Sequence, residues 1–336
     1  MQKTRGEIMS TNYANPMTYV AKGSIEEAME WVGREMTIEA PYAVNEAQIA
    51  YYAAMLEDPN ENYWDEAAAK KRYGAIISPS GMFQTWIIPT PWRPGGRPEH
   101  GPVYALEVPL PCETLINVTT DSAYHAPILV GDRLTFTDRI ESISPLKRTA
   151  VGEGYFVTTD TVCRNQDGVS LATNTNVIYR YDTVPANDDT AAPSFERPVV
   201  GADVEKLPEI SLPITLSKLV MNAAATRDYF PGHHDREYAQ GQGVGDAYHN
   251  TMYLQGFVDR AGYEWAGPDA WLVRRQLRML EPACRGDTMR TDGRVVERRE
   301  ENGRRLVDVD IDVLTEHGIA ATTQLTFDLD GWNGSK

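Results

Sequence analysis

Ala225-Thr226-Arg227-Asp228-Tyr229-Phe230-Pro231-Gly232-His233-His234-Asp235 sets a carboxylate and an imidazole five residues apart across a Pro-Gly pair. On one continuous helix that spacing would splay the two side chains by roughly 140°. Pro231 and Gly232 break the helix, so a bent segment can turn Asp228 and His233 into one pocket. A carboxylate and a neutral imidazole placed there can hold and deprotonate a water molecule.

The stretch has a counterpart earlier in the chain. In Asp58-Pro59-Asn60-Glu61-Asn62-Tyr63-Trp64-Asp65, a shift of 170 lays Asp58 on Asp228, Tyr63 on His233 and Asp65 on Asp235. The same shift carries Ala69 to Ala239 and Met82 to Met252. Further on, Val130-Gly131-Asp132-Arg133-Leu134 answers Arg285-Gly286-Asp287-Thr288-Met289 at a shift of 155. The first copy therefore holds extra residues, expected in the Pro- and Gly-rich loop 89–98. Each copy runs through short helices, an apolar helix and several strands. The apolar helices are expected at about 81 to 88, stopped by Pro89, and about 250 to 261, stopped by Gly262. Strands are expected around 155–162 and 306–313, where β-branched residues cluster, with turns at Asn165-Gln166-Asp167-Gly168 and Thr315-Glu316-His317-Gly318. The pattern predicts an α+β protein of two similar domains, 1–182 and 214–336, joined by an aperiodic linker at 183–213 rich in Pro, Ala and acidic residues.

Composition narrows the partners. A chain of 336 residues, 42% hydrophobic, can bury a sizeable core. Its net charge of -16 speaks against nucleic acid or an anionic membrane as the main partner, since both demand a broad basic surface. No apolar run approaches the roughly 18 to 20 residues of a membrane helix, and MQKTRGEIMSTNYANPM lacks the apolar centre of a signal peptide. A cytoplasmic location is expected, with the first eight residues read as an extension before Met9. Cys112, Cys163 and Cys284 are odd in number and far apart, as reduced thiols would be.

With the Asp-x4-His motif, the Asp after it, the Ala four residues further and the Gly-Asp before the late strands, the chain resembles the MaoC-like family of type 2 (R-specific) enoyl-CoA hydratases and acyl dehydratases. The likeness is to its fused double-hotdog form and covers most of residues 30 to 330. It implies two antiparallel sheets, each wrapped around a central helix, as a pseudo-dimer in one chain. It also implies that Asp228 and His233 grip the catalytic water and that hydration is syn, giving a (3R)-hydroxyacyl product. The thioester oxyanion would be met by a backbone N–H at the start of the apolar helix, which reads Tyr248-His249-Asn250-Thr251-Met252. Thr251 departs from the pattern, since relatives usually carry Gly there; His249, Asn250 and Thr251 are the candidates around that donor.

Adding water across an α,β-unsaturated thioester needs a base on the attacking oxygen, a proton for the α-carbon and a donor for enolate charge. Asp228 is assigned to holding and deprotonating the water and His233 to orienting it and supplying the proton; the reverse assignment stays open. The substrate's CoA is the only cofactor expected, and Arg274, Arg275 and Arg278 on the strand around 271–278 are candidates for its phosphates, with Lys147 and Arg148 a second choice. His234, Asp235 and His249 invite a metal reading with His233, but Asp235 and Asp65 each stand before a helix as N-caps do, and no metal is expected. In the first copy Tyr63 replaces the His, and a phenol is a poor base near neutral pH. Only the second copy is therefore expected to be catalytic, the first serving as an acyl pocket near Trp86 and Trp92. The substrate expected is a bulky 2-enoyl-CoA, of steroid-side-chain, branched or dicarboxylic type. A hotdog thioesterase and a non-catalytic acyl-CoA-binding partner subunit are the rivals. The two copies can pair with each other, and dimerisation of two such chains stays open.

Overall fold

The computed structural model describes residues 20–94, 96, 103–183, 204–332 and 334. The expected extension before Met9, most of the linker and part of the 89–98 loop lie outside them.

The first half contains α1 (Ile25–Met29), β1 (Glu35–Glu39), α2 (Glu46–Leu56), α3 (Glu66–Tyr73), β2 (Thr114–Tyr124), β3 (Thr135–Ile143), β4 (Lys147–Thr149), β5 (Gly152–Arg164) and β6 (Ser170–Asp182). The second contains β7 (Ser211–Pro213), α4 (Leu216–Thr226), α5 (Arg236–Gly241), α6 (Thr251–Ala266), β8 (Trp271–Met279), β9 (Thr288–Glu301), β10 (Arg304–Thr315) and β11 (Gly318–Asp328). Short 3-10 turns at Glu61–Tyr63 and Pro231–His233 stand at matching places. The duplication read from the sequence is thus a duplication of elements, α2 matching α4 and α3 matching α5.

The two expected sheets are joined edge to edge. Strand order is β1-β3-β5-β6-β2-β8-β11-β10-β9-β7, with β4 paired to β5, and the halves meet where β2 runs antiparallel to β8 from Thr119–Arg278 to Ala123–Arg274. The double hotdog is therefore one continuous antiparallel sheet of eleven strands. The linker expectation also needs trimming: beyond the undescribed 184–203, the chain already belongs to the second half. Leu207 N–H donates to the Gly293 carbonyl, and β7 pairs with β9 as the sheet's last strand.

The two central helices differ most. Asn250 caps α6 by accepting the Tyr253 N–H at 2.9 Å, and the helix runs through Gly262 to Gly267, whose φ of 85° ends it. Gly262 does not stop α6; it lets the helix lie against the sheet, because a Cβ there would sit 2.7 Å from Leu325 and Phe327. Phe257, Val258 and Ala261 are at most 1% exposed, and each large apolar side chain so buried contributes about 1.5–3 kcal/mol. In the first half the expected apolar helix is only a 3-10 stretch, Ser80–Trp86. A Cβ on Gly81 would collide with the Tyr52 hydroxyl and the Gly256 backbone, so this stretch packs on α6. A separate small core forms where α1 and Tyr104–Leu106 cover Ile140, Val157 and Ile178.

Candidate active site

The bend that brings Asp228 and His233 together begins at Arg227, four residues before the Pro231 at which the sequence suggests it. Helix α4 closes at Arg227 with a left-handed φ of 59°, and the chain then makes the 3-10 turn Pro231–His233. Gly232 is needed there, since a Cβ would press on the rings of Phe230 and Tyr248. The result places Asp228 Oδ2 3.3 Å from His233 Nε2, with both side chains largely buried.

Each partner is held from behind. His233 Nδ1 lies 3.0 Å from the Tyr248 carbonyl, which can only accept, so Nδ1 carries a proton and Nε2 faces the carboxylate. Phe230 and Tyr248 flank the imidazole, at ring-centroid distances of 5.4 and 5.1 Å. Asp228 Oδ1 accepts the Phe230 N–H at 3.3 Å, and Oδ2 accepts Asn250 Nδ2 at 3.1 Å. Burial alone would push the Asp228 carboxyl up. The charge and Nε2–H hydrogen bond that His233 supplies when protonated, with the Phe230 and Asn250 donors, outweigh it and hold the carboxyl below its ordinary value.

Asn250 does three things at once. Its Oδ1 caps α6, and its amide group donates to Asp228 and, at 2.8 Å, to Thr226 Oγ1. It ties the helix N-terminus to the acid, a role the sequence shows only as an Asn before an apolar helix. Thr251 opens α6, where backbone N–H groups lack intrahelical acceptors and the helix dipole favours negative charge. Its side chain turns away to the first half, accepting from Asn117 Nδ2 at 3.1 Å. His249 is buried and stacked on Tyr253 at 3.5 Å, neither ring nitrogen having a hydrogen-bond partner; burial drives its basicity well down. Asn222, one turn before Thr226, is fully buried with its amide atoms likewise unpartnered, and nothing in the sequence marked it.

The arginine expectation divides. Arg275 is 0% exposed and paired to Asp259 of α6, so it faces the core and not a phosphate. Arg274 is exposed and held bidentately by Asp121 at 2.8 and 2.6 Å. Arg278 is exposed on the outer side of β8. Arg148, of the second choice, pairs with Glu153 at 3.0 Å. Asp235 caps α5 and Asp65 caps α3, while His234 is exposed. Among the described residues no three His, Cys, Asp or Glu side chains are gathered as a metal site. Among them also, no helix is long and apolar enough to cross a membrane.

The first-half copy is closed. Asp58 accepts the Asn60 N–H at 2.9 Å, and burial pushes its carboxyl up to about 6. Tyr63 is 4% exposed, and Tyr52 fills the space by Gly81, donating to the Met252 carbonyl at 2.6 Å. Trp86 is core, bonded to Ser78 Oγ, and Trp92 is 62% exposed; the expectation that both line an acyl pocket fails for Trp92.

One sheet around one long helix and one vestigial one, with the Asp228–His233 pair at the long helix's N-terminus, defines a double-hotdog protein whose candidate site lies in its second half. Residues 30–174 match the FAS1-like, dehydratase domain region, and residues 198–317 match the MaoC like domain. The chain belongs to the MaoC-like dehydratase family. It is 39% identical over 97 residues, 29% of this chain and 73% of the relative, to the 3-oxo-4,17-pregnadiene-20-carboxyl-CoA hydratase beta subunit of Mycobacterium tuberculosis. It is 29% identical over 181 residues to a probable enoyl-CoA hydratase alpha subunit of Thermomonospora curvata, covering 50% of this chain and 55% of that one. The chain thus spans about half the length of that alpha subunit. In fold it is similar to a MaoC-like dehydratase structure (TM-score 0.70, 18% identity, covering 90% of this chain and 99% of that one). It is also similar to a double-hotdog protein of Mycobacterium tuberculosis (TM-score 0.60, 10% identity, 88% and 96%).

Proposed function

We propose that the chain hydrates a 2-enoyl-CoA to a 3-hydroxyacyl-CoA, and the reverse, at Asp228 and His233. The observation that carries this reading is the 3.3 Å approach of Asp228 Oδ2 to His233 Nε2 beside the N-terminus of α6. A water held beside the pair by both atoms attacks the β-carbon. Its proton passes to Asp228 as the new C–O bond forms and the double bond's electrons move onto the thioester oxygen. That oxygen's charge is met by the N–H groups and dipole at Thr251. As the enolate collapses, the proton reaches the α-carbon from Asp228 directly or through Nε2. One water supplies both added atoms, so addition is syn and no further cofactor is used. Arg278 is the arginine of the three left to meet a CoA phosphate.

The test is turnover of a panel of 2-enoyl-CoAs by the purified chain and its His233→Ala variant, with products identified by mass and chirality. A water adduct lost in the variant is expected; release of free CoA would instead make the protein a thioesterase. A second reading is favoured by the subunit names of the relatives: the chain acts as one subunit of a hydratase assembly. Full activity of the chain purified alone would remove it.

A further inference from the structure

The inner face of the first half of the sheet is polar where its counterpart is apolar. Cross-strand neighbours Asp138, Thr161, Asn174, Ser122 and Arg275 form one row across β3, β5, β6, β2 and β8, each at most 8% exposed. The row beside it holds Thr159, Asn176 and Thr120, also buried. In the second half the corresponding face presents Val309, Ile311, Val313, Leu325 and Phe327 beside buried Thr291 and Thr323, and α6 lies against that half. Among the described residues no long helix lies over the β3, β5 and β6 part of these rows, α6 reaching only their Thr120 and Arg275 end. The 3-10 stretch sits at one end of them, where Phe83 meets Phe136 edge-on, and α1 with Tyr104–Leu106 sits at the other.

The rows carry spare hydrogen-bonding capacity. Asn174 Oδ1 accepts from Ser122, but its Nδ2 has no partner, and neither do Asn176 Oδ1 and Asp138 Oδ1. Burial without a partner costs about 1–3 kcal/mol for each such atom, so a protein seldom keeps several together unless something else satisfies them. They are also linked to the site. Residues 251, 255 and 259 fall on one side of α6, where Thr251 bonds Asn117 of β2, Gln255 donates to Thr120 at 3.2 Å, and Asp259 pairs with Arg275. Asn117 Oδ1 and Gln255 Oε1 are unpartnered too.

Resting on the hydratase reading, we propose that an acyl group leaving Thr251 enters the first half and that these rows select acyl groups bearing neutral oxygen functions, hydroxyl or ketone, over plain alkyl chains. Carboxylate tails are disfavoured, because the row offers Asp138 and the one guanidinium in it is already neutralised by Asp259. This chemistry narrows the expected bulky acyl group to an oxygen-bearing one and argues against the dicarboxylic alternative.

Calorimetric titration of the intact chain with saturated acyl-CoAs tests it without any reaction. The probes are a medium-chain acyl-CoA and its terminal-hydroxy, terminal-oxo and terminal-carboxy counterparts. The hydroxy and oxo ligands should bind at least about tenfold more tightly than the alkyl one, and the carboxy ligand no better than it. Equal or tighter binding of the alkyl ligand overturns the inference. In the double variant Asn174→Leu, Asn176→Leu the preference should fall towards unity, and its survival in a folded variant also overturns it; should that variant not fold, the wild-type comparison decides alone. Selective binding with no hydration of the matching 2-enoyl-CoAs would instead sink the hydratase reading and leave the chamber standing.

Discussion

Asp58 and Asp228 hold the same position in two copies of one motif, each following a helix closed by a left-handed residue, Glu57 in one and Arg227 in the other. Their carboxyls move in opposite directions. Both are taken out of water, which favours the neutral acid. Around Asp228 an imidazole, a backbone N–H and an Asn amide outweigh that effect. Around Asp58 one backbone N–H and the more distant Arg260 do not, and it is pushed up to about 6. Burial alone therefore does not set the charge of a carboxyl; the residue five positions on and the cap of the following helix do. The second half has His233 and Asn250, whereas the first has Tyr63 and Pro79, and a proline supplies no side-chain cap.

The comparison breaks most readily at its working side. Asp228→Asn and His233→Ala should each lower kcat by about 10²–10⁴-fold with folding intact, as loss of a positioned acid or base does. Near-wild-type turnover in both, measured by product mass, would remove the site assignment.

The acids can next be separated by pH. Burial pushes the Asp58 carboxyl up to about 6, so its contribution to stability is complete below its unfolded value of 3.8 and is lost as pH rises through about 6. Asp58→Asn abolishes that loss. Between pH 4 and pH 7 the variant should gain up to about 3 kcal/mol relative to the parent in denaturant unfolding. Asp228 has the opposite sign: its carboxyl is held down, and its contribution is present above the unfolded value and lost as pH falls. A pH-independent difference for Asp58→Asn would mean that its burial is not what sets its charge.

Much of this was legible in the residues. Periodic spacing and the shift of 170 exposed the duplication, because each copy repeats its turn and cap residues and not merely its hydrophobicity. The approach of Asp228 and His233 was legible because the Pro-Gly pair cannot continue a helix between them. The continuous sheet was not legible, since the β2–β8 pairing depends on which edges meet, and edges carry no local signal. Arg275 misled for a related reason. Three arginines in eight residues look like one basic face, but strand alternation sends the middle one inward to Asp259. The reach of the apolar helices misled too: Gly262 permits close packing without ending α6, while Gly81 sits where Tyr52 and Gly256 already fill the space.

Asn250 sharpens the comparison further, as the cap that the first half lacks. Asn250→Ser keeps an oxygen for the Tyr253 N–H but loses the amide that reaches Asp228. It should lower kcat by about 10-fold and move the acid limb of the kcat/KM profile upward, because one donor holding the Asp228 carboxyl down is gone. Unchanged stability with a shifted profile marks a positioning residue; a loss of stability with an unshifted profile would leave Asn250 a helix cap and no more.

The smallest effect belongs to the silent side. Tyr63 takes the place of His233, yet it is buried and its phenol is pushed well above its ordinary value, first by burial and then by Asp58. A group so reluctant to ionise neither takes nor gives a proton at neutral pH, and Tyr52 fills the space beside Gly81, where a thioester reacting at the first copy would have to sit. Tyr63→Phe should therefore change kcat by less than about 2-fold, while leaving the fold intact because the ring is retained. A large loss of turnover in a folded Tyr63→Phe protein would mean that the first copy still takes part in the chemistry, and that Asp58, not Asp228 alone, must be counted among its acids.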